Sequence, residues 1–144
     1  MSVDKPTPND VVEVLDKAIE LMNDTGKHWT QGRFKVGLNI NDDGVVVDYA
    51  YCAVGAIRAA SGVKMVDYGS NPLADAAVEA VARATIPHVK NSREDERSSL
   101  AVTPVTVVTG WNDNDGTNWE KVVRRFQRAR TRVLKRADKG LSGF

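Results

Sequence analysis

The stretch Tyr49-Ala50-Tyr51-Cys52-Ala53-Val54-Gly55-Ala56-Ile57-Arg58-Ala59-Ala60 decides the architecture. It is apolar on nearly every side, and a helix of that kind sits in the middle of a fold rather than on its surface. The pattern predicts a central helix over about 50–60, with Asp48 as its cap and Gly62 at its end. Gly55 inside it costs about 1 kcal/mol relative to alanine. Close approach of a neighbouring helix is the expected compensation.

Upstream, Phe34, Val36 and Leu38 alternate, as do Val45 and Val47, around the turn residues Asn41-Asp42-Asp43-Gly44. That is the signature of a short β-hairpin. Before it, His28-Trp29-Thr30-Gln31-Gly32 has no clean period and reads as a turn carrying one large aromatic. Thr7-Pro8-Asn9-Asp10 starts a first helix over about 8–23, with Thr7 as cap and Pro8 at the first helical position. Its apolar positions are Val11, Val12, Leu15, Ala18, Ile19 and Met22.

Downstream, Asn71-Pro72 opens a helix by the same logic, and Pro87 ends it. The run from His88 to Ser99 is polar and charged and reads as a loop or a short charged helix. Thr103 to Thr109 is β-branched, and with Pro104 it fits a strand start or an edge strand. Trp111 to Gly116 reads as a turn. Thr117-Asn118-Trp119-Glu120 forms a capping box for a last helix over about 118–137. The whole is an α+β, mostly α, compact single domain over residues 1–144. About four helices surround the 50–60 helix, with a small β-hairpin, and 1–7 and 138–144 are frayed tails.

The 144 residues and 42% apolar content suit one globular domain. One cysteine, Cys52, allows neither an internal disulfide nor a cysteine-based zinc site. The N-terminus lacks the apolar segment of a signal peptide, and no run reaches the roughly 18 apolar residues of a membrane helix. A cytoplasmic protein with no membrane association is expected. Net charge is +1, but unevenly placed. Residues 1–24 hold six acids against two bases, and residues 120–139 hold nine bases against two acids. That asymmetry marks either a face for an acidic partner or an attraction between the first and last helices.

Two Asp-Gly clusters invite calcium, but both fail. The EF-hand loop needs an oxygen ligand at its first position and a glutamate at its twelfth. With Gly116 at the sixth position, Trp111 and Val122 fall there; with Gly44, the twelfth is Ala50. No metal and no cofactor are implied. Cys52 with His28 or His88, and Asn112 or Asp113 as orienting group, is the minimum set for thiol catalysis. A cysteine packed in the core is favoured over that set, because its neighbours are Ala53, Val54, Ala56 and Ile57. Loop tryptophans beside amides, namely Trp29, Gln31, Trp111, Asn112 and Asp113, suit a ligand or partner pocket, with core anchoring as the plainer alternative. Arg124, Arg125, Arg128, Arg132, Lys135 and Arg136 line one side of the last helix. They suit a solvated face, an acidic protein partner or, less well, nucleic acid.

Three segments, Trp29-Thr30-Gln31-Gly32, Tyr51-Cys52-Ala53-Val54-Gly55-Ala56-Ile57 and Trp111-Asn112-Asp113, together resemble a family of small actinobacterial and actinophage proteins of unknown function. The resemblance spans roughly residues 10–135 by segments. The charged loop 90–99 and the strongly basic last helix depart from the family pattern. It implies an actinobacterial or actinophage origin and no activity. The clustered polar loop residues would meet the N-terminal end of the Cys52 helix, forming either a hydrogen-bond hub or a small pocket, and the hub is favoured. The function expected is that of a non-enzymatic accessory protein binding a cellular protein. A small cysteine-dependent hydrolase or transferase and a nucleic-acid binder are the alternatives.

Overall fold

A computed structural model of the protein describes residues 5–22, 26–62, 71–85 and 103–141. In chain order these form α1 (Pro8–Met22), β1 (Lys35–Ile40), β2 (Val46–Tyr51), α2 (Ala53–Ala60), α3 (Pro72–Thr85), α4 (Pro104–Asn112) and α5 (Trp119–Asp138). The fold is α+β and mostly α, with five helices and one two-stranded antiparallel hairpin among the described residues.

Helix starts follow their local chemistry. Thr7 Oγ1 accepts from the Asp10 N–H at 3.1 Å, and Asp10 Oδ2 accepts from the Thr7 N–H at 2.9 Å. Two donors at the open end of α1 are thereby satisfied reciprocally. Asn71 Oδ1 caps α3 by accepting from the Ala74 N–H at 2.9 Å. At α5 the cap is Asn118, whose side chain accepts from the Lys121 N–H at 2.9 Å. The expected capping box of Thr117 and Glu120 is therefore replaced by a simple asparagine cap one residue later. Thr117 is instead buried and donates its hydroxyl to the Trp111 carbonyl at 2.7 Å.

Two expected elements are corrected. Residues 105–109 are not a strand but part of helix α4. Thr103 Oγ1 accepts from the Thr106 N–H at 3.2 Å, and Pro104 occupies the first helical turn. Burial of Val107 and Val108 against the core then outweighs the weak β preference of the valines and threonines. Second, the apolar 49–60 stretch is divided. Residues up to Tyr51 belong to β2, and the helix begins only at Ala53. Asp48 is a strand residue, not a cap; Cys52 is the cap.

The hairpin pairs Lys35 with Tyr51, Val36 with Ala50 and Gly37 with Tyr49, then shifts register so that Asn39 faces Asp48 and Ile40 faces Val46. Asn41 Oδ1 organises its turn, accepting from the N–H groups of Asp43 (2.9 Å) and Val45 (3.0 Å). Gly44 follows in the left-handed region, at φ 77°. Residues 28–30 run beside the end of β2. The Tyr51 N–H donates to His28 O at 2.8 Å, and the Thr30 N–H donates to Tyr51 O at 3.0 Å.

Helix α2 packs on α1, α3 and α4, while α5 lies against α1 and α3. Phe126, Leu15, Met22 and Ile57 are the largest fully buried side chains. Alanines fill much of the remainder, including Ala53, Ala56, Ala77 and Ala80, so the helices approach closely. No described helix is long and apolar enough to cross a membrane.

Gly55 is explained by a different neighbour from the helix expected. A Cβ placed there would stand 1.9 Å from the Phe34 carbonyl oxygen. The backbone just before β1 thus lies directly on α2, and the same carbonyl accepts the Cys52 N–H at 3.2 Å. Alanine at a helical glycine ordinarily gains about 1 kcal/mol. Here Gly55→Ala should instead destabilise by about 3 kcal/mol or more, because backbone must move. Urea unfolding of the two proteins reads the sign directly.

Candidate functional site

The side chain at the centre of the polar cluster is Asn112, the last residue of α4 and fully buried. A buried amide demands partners for one acceptor and two donor hydrogens. Asn112 Oδ1 accepts from the Trp29 indole N–H at 2.8 Å and from the Ala53 backbone N–H at 3.0 Å. Its Nδ2 donates to Thr30 O at 3.1 Å and to Asp113 Oδ1 at 3.0 Å. Every hydrogen-bonding position of the amide that matters is occupied by protein.

The neighbours extend the network. Asp113 Oδ1 also accepts from the Gly32 N–H at 2.8 Å. Gln31 Nε2 donates to the carbonyls of Asn112 (2.9 Å) and Asn114 (3.1 Å). These are carbonyls at the C-terminal end of α4, which no further helical turn can satisfy. Trp29, Gln31, Asn112 and Asp113 therefore meet, and they tie the 28–32 segment to α4.

The same cluster closes the N-terminus of α2. Its first N–H, on Ala53, goes to Asn112 Oδ1. The Gly55 N–H goes to Cys52 Sγ at 3.3 Å, and the Ala56 N–H to Cys52 O at 2.8 Å. Cys52 is a cap: only 2% exposed, with sulfur in the place an N-cap oxygen ordinarily takes. Burial pushes its thiol pKa up, against the opposing pull of the Gly55 and Val54 N–H groups. A neutral, enclosed thiol is a poor nucleophile.

The other members of the thiol set are engaged elsewhere. His28 Nε2 lies 2.7 Å from Asp48 Oδ1, and Lys27 lies 3.7 Å from the other oxygen of Asp48. Partial desolvation raises the Asp48 pKa, but the hydrogen bond and charge of His28, with the Tyr49 N–H and Lys27, outweigh it and hold the carboxyl below its usual range. Asn112 and Asp113 are spent on the network. His88 lies outside the described residues. A small hollow of about 130 Å³, open to solvent, touches Cys52, Thr109 and Asp113. Among the described residues no group of three His, Cys, Asp or Glu is placed to hold a metal ion.

Trp111 parts company with its neighbours. It turns toward α5, where the Arg125 guanidinium carbon stands 4.9 Å from its ring centroid. Trp111, Lys121, Arg124, Arg125 and Arg128 line an open hollow of about 520 Å³. Arg128 also borders a second hollow of about 610 Å³, which continues along α5 past Arg132, Lys135 and Arg136 to Lys139 and Leu141. Burial lowers the Arg125 pKa, with Arg128 adding repulsion; burial lowers that of Arg132 too, with Arg136 and Arg83 adding to it. Arg130 reaches across to α1, where its Nε meets Asp16 at 2.8 Å. The charge asymmetry between the first and last helices is thus expressed in part as this exposed ion pair.

Sequence patterns do not reveal the Trp111–Arg125 stack, because those residues belong to different helices. Lys121, Asn114 and Gly116, which complete that hollow, carried no pattern of their own beyond charge and turn propensity.

Fold and cluster together define a small helical α+β domain in which one buried asparagine joins a loop to two helix ends. A family of unknown function (DUF6197) matches residues 6–132, and the chain belongs to it. All three segments that carry the resemblance fall within that span. No curated protein and no solved structure matches the chain.

Asn112→Ala would leave the Trp29 indole N–H, the Ala53 N–H and the Thr30 carbonyl without their partner in a buried to part-buried site. We expect a loss of about 3–5 kcal/mol in unfolding free energy, since each orphaned group costs about 1–3 kcal/mol. For Cys52, the expected behaviour is slow alkylation by iodoacetamide at neutral pH and rapid alkylation in denaturant. Equal rates in both conditions would mean that the thiol is open to solvent.

Proposed function

We propose that the protein is a non-enzymatic accessory protein, of actinobacterial or actinophage origin, that works in the cytoplasm by binding an acidic cellular protein along the basic side of α5. The origin rests on the three-segment resemblance. The binding role is carried by one observation: two hollows share Arg128 and run the length of α5, and among the described residues no carboxylate stands within ion-pair distance of Arg124, Arg125 or Arg128. From residue 121 to 139 the face extends about 27 Å. Guanidinium groups dominate it, and their forks match carboxylates two hydrogen bonds at a time.

An acidic protein suits this face better than nucleic acid. The second hollow ends on Leu141, which is 48% exposed. The aliphatic stems of Arg132, Lys135 and Arg136 add further apolar surface there. An apolar element within a charged rim is the ordinary make-up of a protein interface. Thiol chemistry has less support, because Cys52 is enclosed and spent as a helix cap.

The test is a nuclease-treated pull-down from an actinobacterial lysate at two salt concentrations. It uses the wild-type chain, the double reversal Arg124→Glu with Arg128→Glu, and Cys52→Ser. A specific protein retained by wild type and Cys52→Ser, and lost from the double reversal, is the expected outcome. Retention that survives charge reversal removes the basic face from the binding site. Retention of DNA that falls steeply with salt would put nucleic acid in place of protein.

A further inference from the structure

We infer that the hollow between Trp111 and α5 is a phosphoryl-binding pocket, taking a phosphate monoester dianion carried on a larger molecule. The proposal rests on the anion-binding role given above to the α5 face, and it names the chemistry of one part of that face.

The four cations of the hollow are not equivalent. Lys121 Nζ is held by the Gly116 carbonyl, and Arg125 Nη1 donates to the Ala84 carbonyl at 3.0 Å while its plane lies against Trp111. Both are engaged by backbone carbonyls, and both keep donors to spare. Arg124 and Arg128 are exposed, four residues apart, and have no hydrogen bond or ion pair to a described residue. Residues at this spacing on a helix have Cβ atoms about 5–6 Å apart. Like charges at this spacing on a helix repel, as the Arg128 charge does Arg125.

A ligand that relieves this repulsion must bring more than one negative charge to one point. A carboxylate brings one. A phosphate monoester brings about 1.5 to 2 at neutral pH, with three acceptor oxygens that several forks can share. The hollow, at about 520 Å³, also exceeds what a phosphoryl group fills. One wall of it is the indole of Trp111. The remaining volume accommodates the group that bears the phosphate.

Calorimetric titration of the full chain with phenyl phosphate, benzoate, a phosphoserine peptide and its unphosphorylated acidic counterpart tests this. Phenyl phosphate should bind at least tenfold more tightly than benzoate. Arg124→Gln and Arg128→Gln should each weaken it at least tenfold, whereas Arg132→Gln, in the second hollow, should change it less than twofold. Tighter binding of the phosphopeptide than of phenyl phosphate assigns the ester to a protein partner. The reverse order assigns it to a small molecule, and both support the pocket. Equal affinity for phenyl phosphate and benzoate overturns it, as does binding indifferent to Arg124 and Arg128. If the acidic peptide still binds in that case, the basic face stands without the pocket. If phenyl phosphate binds but no protein is retained from lysate, the pocket stands without the protein partner.

Discussion

The Asn112 side chain is the constraint on which the rest of the structure depends. It is wholly buried, and a buried amide left unpaired is costly enough to unfold a marginal domain. Its four bonds reach the 28–30 segment, the first turn of α2 and the residue that follows α4. The 28–30 segment, α2 and α4 are separate in sequence, and this one amide bonds to all three. Hydrophobic burial brings the helices together without direction. The amide gives that collapse a register.

The small residues of α2 are the other half of the same arrangement. Gly55 lets the Phe34 carbonyl lie on the helix, and that carbonyl in turn takes the Cys52 N–H. Cys52 then caps the helix with its sulfur. The Cys-Ala-Val-Gly-Ala-Ile motif is thus a helix start shaped for close contact with backbone. Its cysteine is small, apolar and still able to accept a hydrogen bond, which is what a cap enclosed in a core requires. Serine would cap well but would bring a hydroxyl whose own proton needs a partner.

Much of this was legible in the sequence, and the failures have physical causes. Thr7-Pro8 and Asn71-Pro72 were recognisable as helix starts, and Thr103-Pro104 carries the same chemistry. There the β-branched run after the proline hid it, because Val105 to Thr109 suits a strand until Val107 and Val108 find a core to enter. The boundary at Cys52 was hidden for a related reason. Tyr49, Ala50 and Tyr51 are as apolar as the helix they precede, so hydropathy shows one segment where pairing with β1 makes two. That the polar cluster would meet the Cys52 helix could be expected from residue types alone. Which amide sat at its centre, and that Trp111 faced away, could not, since both depend on how α4 is rotated.

That rotation links the interior to the surface. Adjacent residues on a helix point about 100° apart. With Asn112 locked inward by four hydrogen bonds, Trp111 has no choice but to face the side, where Arg125 covers it. Thr117 holds the same corner by donating to the Trp111 carbonyl, one residue before the Asn118 cap that starts α5. The wall of the basic hollow and the beginning of its cationic helix are therefore both set from the buried network. Binding sites work best on groups whose positions are fixed before the ligand arrives. In this domain the Trp-Asn-Asp turn serves both ends: the asparagine and aspartate hold the fold, and the tryptophan between the network and α5 becomes one wall of the basic hollow.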